Sequence, residues 1–442
     1  MCRQHRLDLL RGGRDADPRQ QTLRATIEWS YNLLDEAERR LFRSLSVFAG
    51  GCTYEAAEAV CDADPDTLQS LLDKSLLRRR ATDLGPRYWM LETMREYAAE
   101  LEQEDPVSAH RAHAEWVAGE VASWVPRLTE YDQLEAFARL DAEVDNIRAA
   151  MDWGAGSADQ EVPANLVSTA TRYMWRRGHG AEMVERLERL ARLRLDDAIR
   201  LPILGELGFL LGRQGRNEEA IRELRAALDI AVALDKPHER ANLTYALAHA
   251  LDDLGLADDA RPLFETALKG FGAVGDDRGV ALVQWGLATF ETEPSRALDR
   301  LDQALAFHRG AHDTLGVAWI QAQRAPLLSK VGDPTAALES LAESLRTYSE
   351  LGAAVGCADA LFVFAELFSE SQTDMAAAAL SLLEVEFVSE VDRWHTERVE
   401  RLRGTVAARE RSVPIEPLRV LCEARAVVES ALASRQASVS IH

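Results

Sequence analysis

The chain has 442 residues, of which 47% are apolar and 28% charged, and a formal net charge of −22. This is the composition of a folded globular protein with room for roughly two to four domains. Five cysteines, odd in number and widely spaced, argue against a disulfide framework. No charged-then-apolar leader opens the sequence, and no apolar run of about 18 residues offers a membrane span. A cytoplasmic protein with reduced thiols is expected.

The charge is uneven. Residues 1–100 hold 15 Lys+Arg against 17 Asp+Glu, a balance of −2, so the remaining −20 lies beyond them. Affinity for nucleic acid comes largely from neutralising phosphates, so the distal part is a poor ligand for it.

Residues 1–20 are basic and rich in Gly, Asp and Pro, and read as a linker. Residues 21–105 read as a compact module. Ser30 and Asp35 have the short polar side chains of helix starts, and Asp35 with Glu38 forms a capping-box pair. Leu34, Ala37, Leu41, Leu45 and Phe48 recur at helical spacing, giving one inward face. Gly50-Gly51 stops that helix, and Thr53 caps the next. Asp66 and Gln69 resemble a further capping box. Leu76–Arg80 and Arg87–Leu91 flank the turn cluster Asp83-Leu84-Gly85-Pro86, which predicts a β-hairpin. Thr93 and Glu96 predict the cap of a last helix with Met94, Tyr97, Ala98 and Leu101 inward.

Three blocks of this module resemble one family: QTLRATIEWSYNLLDEAERRLFRSLSVFAGG from Gln21, LDKSLL from Leu72, and RYWMLETMREYA from Arg87. A fourth, from Leu140 through Glu143, Asp145, Asn146, Ile147 and Arg148, resembles the same family. It is the LuxR-type and SARP-type branch of bacterial STAND transcriptional regulators. The resemblance implies a winged-helix domain over 21–105, following a nucleotide-binding core and followed by helical sensor repeats. It also implies that the chain begins midway through that architecture.

The family's core binds ATP through GxxxxGK[ST], whose backbone amides and lysine cradle phosphates. That motif is absent: none of the four lysines (Lys74, Lys236, Lys269, Lys330) follows a glycine. No cofactor is expected unless a separate or upstream P-loop domain supplies ATP, and no catalytic or metal-binding residues are assigned. His110/His113 and His308/His312 could each share a helical face, but a zinc site needs further ligands, so they are read as surface histidines.

Residues 106–200 predict a helical connector with a degenerate first repeat around Met183 and Leu187. Its aromatics Trp116, Trp124, Phe137, Trp153, Tyr173 and Trp175 are expected in the core. From 201 to 390 the chain repeats. Small residues fall at Gly208, Ala248, Ala288, Ala325 and Ala365, at intervals of 40, 40, 37 and 40, and partner small residues at Ala220, Ala260, Ala297, Ala337 and Ala377. Leu224, Phe264, Leu301 and Leu341 follow, then Ala227, Ala267, Ala304 and Ser344. Ser381 breaks the pattern, so the fifth unit should be an end cap. This is the pattern of tetratricopeptide-like hairpins stacked as a solenoid, with a period of about 40 residues. The short interval falls between Ala288 and Ala297, where a turn is expected to have lost three residues. Asn217 and Asp333-Pro334 read as helix starts. Residues 391–442 should form two helices, around 391–411 and 415–433, and a frayed tail.

The expected fold class is therefore mainly α: a small winged-helix domain followed by an α-α solenoid. Two faces are candidates for binding. First helices of solenoid hairpins line a concave face, which should carry Asn242, Tyr245, His249, Asp252, Trp285 and Trp319, with Gln323 at its edge. Such mixed polar and aromatic groups suit a protein partner, a peptide or a small effector. The second candidate is a basic wing of Arg78, Arg79, Arg80 and Arg87 that could touch DNA phosphates. Against it, the helix from Asp66 to Ser75 exposes Asp66 and Asp73, which repel the backbone. The reading that results is a non-catalytic sensor arm, with a nucleotide-binding ATPase domain as a candidate partner. A stand-alone DNA-binding regulator is the alternative.

Overall fold

The computed structural model describes residues 18–101, 106–129, 132–155, 160–351, 354–368 and 417–439. They fall into two compact units: the first runs to Trp124 and includes Glu135–Leu166; the second comprises Val125–Leu134 and everything from Val167 onward.

In the first unit, α1 (Pro18–Asn32), α2 (Glu36–Ser44), α3 (Tyr54–Cys61) and α4 (Pro65–Asp73) precede a hairpin of β1 (Arg78–Thr82) and β2 (Gly85–Trp89). Then come α5 (Glu92–Leu101), α6 (Pro106–Trp124) and α7 (Gln133–Gly154), whose first two residues belong to the second unit. The capping box at Asp35 is complete: Glu38 N donates to Asp35 Oδ1 at 2.9 Å, and Asp35 N donates to Glu38 Oε2 at 2.8 Å. Thr53 caps α3 through Ala56 N. Leu41, Phe42, Leu45, Phe48, Leu71, Leu76 and Tyr97 share one core. The strands pair antiparallel with Arg79 opposite Tyr88 and Thr82 opposite Gly85, and Cys52 forms an isolated antiparallel bridge with Tyr88. Gly51 has φ +74°, and a Cβ there would stand 2.5 Å from Tyr88 O, so only glycine fits this crossing.

Several local expectations are corrected. Ser30 does not start a helix: it lies inside α1 and its hydroxyl donates to Thr26 O. The helix also begins at Pro18, inside the expected linker. Ala37 is exposed and Glu38 is buried, because Glu38 is needed by α4 as described below. The cap of α4 is Asp64 with Pro65 at the first position, one turn-entry earlier than Asp66. Thr93 lies within α5 and does not cap it. The hairpin is real but displaced two residues toward its turn.

The second unit is a stack of helix pairs: α8 (Glu161–Arg176, from Val167) and α9 (Gly180–Ala191), α10 (Asp197–Arg213) and α11 (Asn217–Ala233), α12 (Pro237–Asp253) and α13 (Ala257–Val274), α14 (Asp277–Ala288) and α15 (Pro294–Gly310), α16 (Thr314–Lys330) and α17 (Pro334–Leu351), then α18 (Ala354–Phe368) and α19 (Pro417–Val439). The small residues sit where helices touch. Gly208, Ala248, Ala325 and Ala365 are buried, as are Ala220, Ala260, Ala297 and Ala337. A Cβ on Gly208 would stand 2.6 Å from Leu224 Cγ. Met183 and Leu187 are buried on α9. Ala377, Ser381 and the 391–411 helix lie outside the described residues. The last helix runs to Val439, past the expected end at 433, and packs on α17 and α18 with Ala424 and Val428 fully covered.

The short repeat has a different cause from the one the spacing suggests. The first helices all begin at the same offset from their small residue: Asp197 before Gly208, Pro237 before Ala248, Asp277 before Ala288 and Thr314 before Ala325. Helices α10, α12 and α16 are 17 residues long, but α14 has 12. Helix α14 stops at Ala288, losing five residues, while the connection to α15 grows from three residues to five. The other three hairpins turn through Gly215, Gly255 and Gly332, all at positive φ; the α14–α15 connection has no such glycine. Asn217 is the first residue of α11 and makes no side-chain cap, whereas Asp333 does, accepting from Ala336 N at 3.0 Å.

Candidate functional site

On the repeat face, helical spacing places Tyr245 and His249 one turn apart on α12, with ring centroids 4.6 Å apart and edge-on. The imidazole of His249 stacks on Trp285 of α14 at 4.8 Å and meets Phe264 edge-on at 4.8 Å. Trp285 in turn meets Trp319 of α16 at 4.2 Å. Four of the seven expected residues therefore form one continuous ladder of half-buried rings across three hairpins. The other three add no ring to it. Asn242 is exposed on α12, Asp252 is half-buried three residues past His249, and Gln323 is half-buried one turn after Trp319. Burial raises the Asp252 carboxyl above its ordinary range, and burial also raises the Tyr245 hydroxyl, so Tyr245 keeps its proton as a donor.

Four arginines that the repeat pattern did not flag gather toward the Tyr245 end: Arg172, Arg213 and Arg278 act on Tyr245, and Arg176 neighbours Arg172 and Arg278. Arg172 and Arg176 lie one turn apart on α8, Arg213 ends α10, and Arg278 opens α14. The Arg172 guanidinium lies 3.5 Å over the ring of Phe209, and Arg213 lies 5.6 Å from the centroid of Trp175. Burial, then the charge of Arg278, lowers Arg176 to about 10. Sequence spacing could not find them, since they come from two repeats and the degenerate unit before them.

Close to them is a buried polar knot. Gln133 Nε2 donates to Leu128 O at 3.0 Å and to Asp313 Oδ1 at 2.7 Å, and Leu315 N and the Thr314 hydroxyl donate to Gln133 Oε1. His308 Nδ1 lies 2.9 Å from Asp313 Oδ2. His308 is thus a core residue, and His113 is likewise buried, edge-on to Phe48 at 5.0 Å. The surface-histidine reading is corrected for both. Each ring covers apolar neighbours that the helical spacing alone does not reveal. Among the described residues no group of three His, Cys, Asp or Glu side chains stands ready for a metal ion.

On the winged-helix side the four basic residues separate. Arg78, Arg79 and Arg80 are exposed along β1, with Arg79 over Tyr88 and Arg80 over Trp89. Arg87, expected beside them, is 5% exposed and points inward. It is ion-paired with Glu143 of α7 and donates to Gly51 O at 2.9 Å. Alternation along β2 sends it to the face opposite its strand neighbours, and the carboxylate waiting there is on α7, the third helix after the strand. Asn146 completes the clamp: its amide donates to Gly51 O at 2.9 Å and accepts from Gly50 N at 3.3 Å. Helix α4 is also spoken for, because Lys74 and Ser70 both bond Glu38. The bond from Lys74 leads in lowering the Glu38 carboxyl to about 2.

Comparison with known proteins agrees with this division. Residues 34–103 match the model of a winged helix-turn-helix domain, and residues 200–273 match a tetratricopeptide repeat. The chain thus joins a winged helix-turn-helix domain to a tetratricopeptide-type helical solenoid.

Over 217 residues it is 35% identical to a provisionally named HTH-type transcriptional regulator of Mycobacterium tuberculosis (strain ATCC 25618 / H37Rv), covering 46% of this chain and 24% of that protein. Over 89 residues it is 36% identical to an uncharacterised protein of the same organism, covering 18% and 23%. The chain spans about a quarter of the length of these curated relatives. Among solved structures, a Rap protein complexed with Competence and Sporulation Factor shares the fold with a TM-score of 0.50, at 12% identity over 73% of this chain and 99% of that one. A STAND protein with a tetratricopeptide repeat sensor from Pyrococcus horikoshii superposes with a TM-score of 0.43, at 14% identity over 98% and 68%.

Proposed function

We propose that this chain is the non-catalytic sensor arm of a STAND-type transcriptional regulator of the LuxR/SARP kind, at work in the cytoplasm. The repeats bind a protein or small effector, and the winged helix relays that state to a nucleotide-binding ATPase domain. The observation that carries the reading is the ring ladder from Tyr245 to Trp319. Stacked, half-buried aromatic rings joining three hairpins are what a ligand face needs. The clamp of Arg87, Glu143 and Asn146 on the Gly50-Gly51 turn supports the relay. It ties the connector helix rigidly to the winged helix, so motion of one moves the other.

The test is capture with the natural chain beside a Trp285→Ala/Trp319→Ala variant, with bound proteins and small molecules identified by mass spectrometry. A species retained by the first and lost from the second is expected. If nothing depends on the two tryptophans, the sensor reading fails. Calorimetry with ATP and with ADP should give no heat of binding for this chain.

A second reading, direct DNA binding, is favoured by the exposed Arg78-Arg79-Arg80 row. Three phosphate contacts predict a log–log salt slope of about −3. Mobility shifts that lack this slope, or that persist after all three arginines become alanine, would exclude the wing as a DNA contact.

A further inference from the structure

One end of the sensor face gathers several guanidiniums. Arg176 and Arg278 feel each other's charge and that of Arg172, while Tyr245 lies within reach of Arg172, Arg213 and Arg278. The carboxylates whose charges act on Arg176 and Arg278 are Asp313 and Asp276, while Glu206 pairs with Arg172, and Asp313 and Asp276 also hold other hydrogen bonds. Glu206 takes Arg172 at 2.6 Å. Asp313 accepts from Gln133, from Gly316 N at 3.0 Å and pairs with His308. Asp276 accepts from Gly279 N at 2.9 Å to cap α14 and lies 2.9 Å from His238. Arg278 Nε is buried with no hydrogen-bond partner. The bond from Arg176 goes to a neutral group, Leu128 O, at 3.1 Å.

Partly buried like charges cost free energy, and a cluster of them beside an open face marks a candidate place for an anion. The aromatic ladder begins at the same place. Arg278 and Trp285 are seven residues apart on α14, two turns along one face, about 10 Å along the axis. Tyr245, near Arg278, leads through His249 back to Trp285. An acid group beside Arg278 would therefore direct an attached ring onto the ladder.

We propose that this face takes a small organic anion with a flat ring. Arg278 and Arg176 hold its carboxylate or phosphate, Tyr245 donates a hydrogen bond, and the ring lies along His249, Trp285 and Trp319. This rests on the effector-face reading and narrows it to one chemical class.

The experiment is titration calorimetry of the full chain with 2-naphthoate, 2-naphthyl phosphate, neutral 2-naphthamide and inorganic phosphate, repeated on three variants. At least one ring-bearing acid should bind tenfold or more tighter than the amide, and its identity tells carboxylate from phosphate. Arg278→Gln should abolish that preference and Arg278→Lys should keep most of it. Trp285→Ala should weaken acid and amide alike. The Tm of Arg278→Gln without ligand should equal or exceed that of the natural chain, which separates lost binding from lost folding. Equal binding of acids and amide, an unchanged preference in Arg278→Gln, or inorganic phosphate matching the ring-bearing acids would each overturn the proposal. Acids and amide bound alike but lost in Trp285→Ala would overturn only the charge inference, leaving the effector face standing. No binding of any probe would overturn this inference alone, since the sensor reading is decided by the capture assay.

Discussion

At the scale of residues, the buried ionisable groups decide how the first unit tolerates acid. Burial, then the neighbouring His110, lowers His113 to about 4. A histidine whose folded pKa is depressed resists protonation, so the folded state loses stability as pH falls from about 6.5 toward 4. At pH 5 the loss is ~2 kcal/mol. Thermal melts at pH 7 and pH 5 should show it, and His113→Phe should flatten the difference. Glu38 acts in a lower window. Its depressed carboxyl contributes stability that is complete above its ordinary value near 4.5 and vanishes as pH falls through about 2. The four arginines of the expected wing also differ sharply. Arg87→Ala strands the Glu143 carboxylate and should cost roughly 3–5 kcal/mol, while Arg79→Ala should change stability by less than about 0.5 kcal/mol. Urea denaturation separates the two.

At the scale of elements, the repeat seams are set by side-chain volume. Ser344 occupies the place held by Ala227, Ala267 and Ala304 in the other hairpins, and its buried hydroxyl has no hydrogen-bond partner. Ser344→Ala should therefore stabilise the chain by about 1 kcal/mol, seen as a raised midpoint in denaturant without a change in slope. The hairpins were legible in the sequence because period and small residues are local properties repeated at a fixed interval. The capping box at Asp35 and the Thr53 cap were legible for the same reason. Ser30 and Asp66 misled because Ser, Thr and Asp can also sit inside a helix or just past its cap. The shortening of α14 was misplaced because a net loss of three residues is the same whether a turn shrinks or a helix loses five and its connection gains two. The glycines at 215, 255 and 332 held the missing clue, since the third hairpin lacks their counterpart.

At the scale of the whole molecule, the order of a winged helix and a repeat array was legible, from three motif blocks and a period. The contacts that make the two candidate faces were only half legible. Tyr245, His249, Trp285 and Trp319 share a helical face that the repeat predicts. Arg172, Arg176, Arg213 and Arg278 meet only after folding, and the Arg87–Glu143 pair joins a strand to a helix that no local pattern links to it. Net charge follows the same division: the acidity lies beyond residue 100, so any contact with DNA falls to the exposed Arg78-Arg79-Arg80 row. If the wing contacts DNA, replacing those three should remove its salt-sensitive retention, because the strongly acidic distal part of the chain repels the phosphate backbone.

The shortened α14 has a consequence of its own. A rod of equal hairpins presents the same surface at every repeat, so a ligand could slide from one register to the next at little cost. One unit with a clipped helix and a glycine-free connection breaks that translational symmetry. Trp285 stands on the clipped helix, and Phe290 in its connection packs on Phe264 at 5.6 Å. On the effector-face reading, the irregular hairpin would serve as an address mark, setting one register of the described array apart from its neighbours.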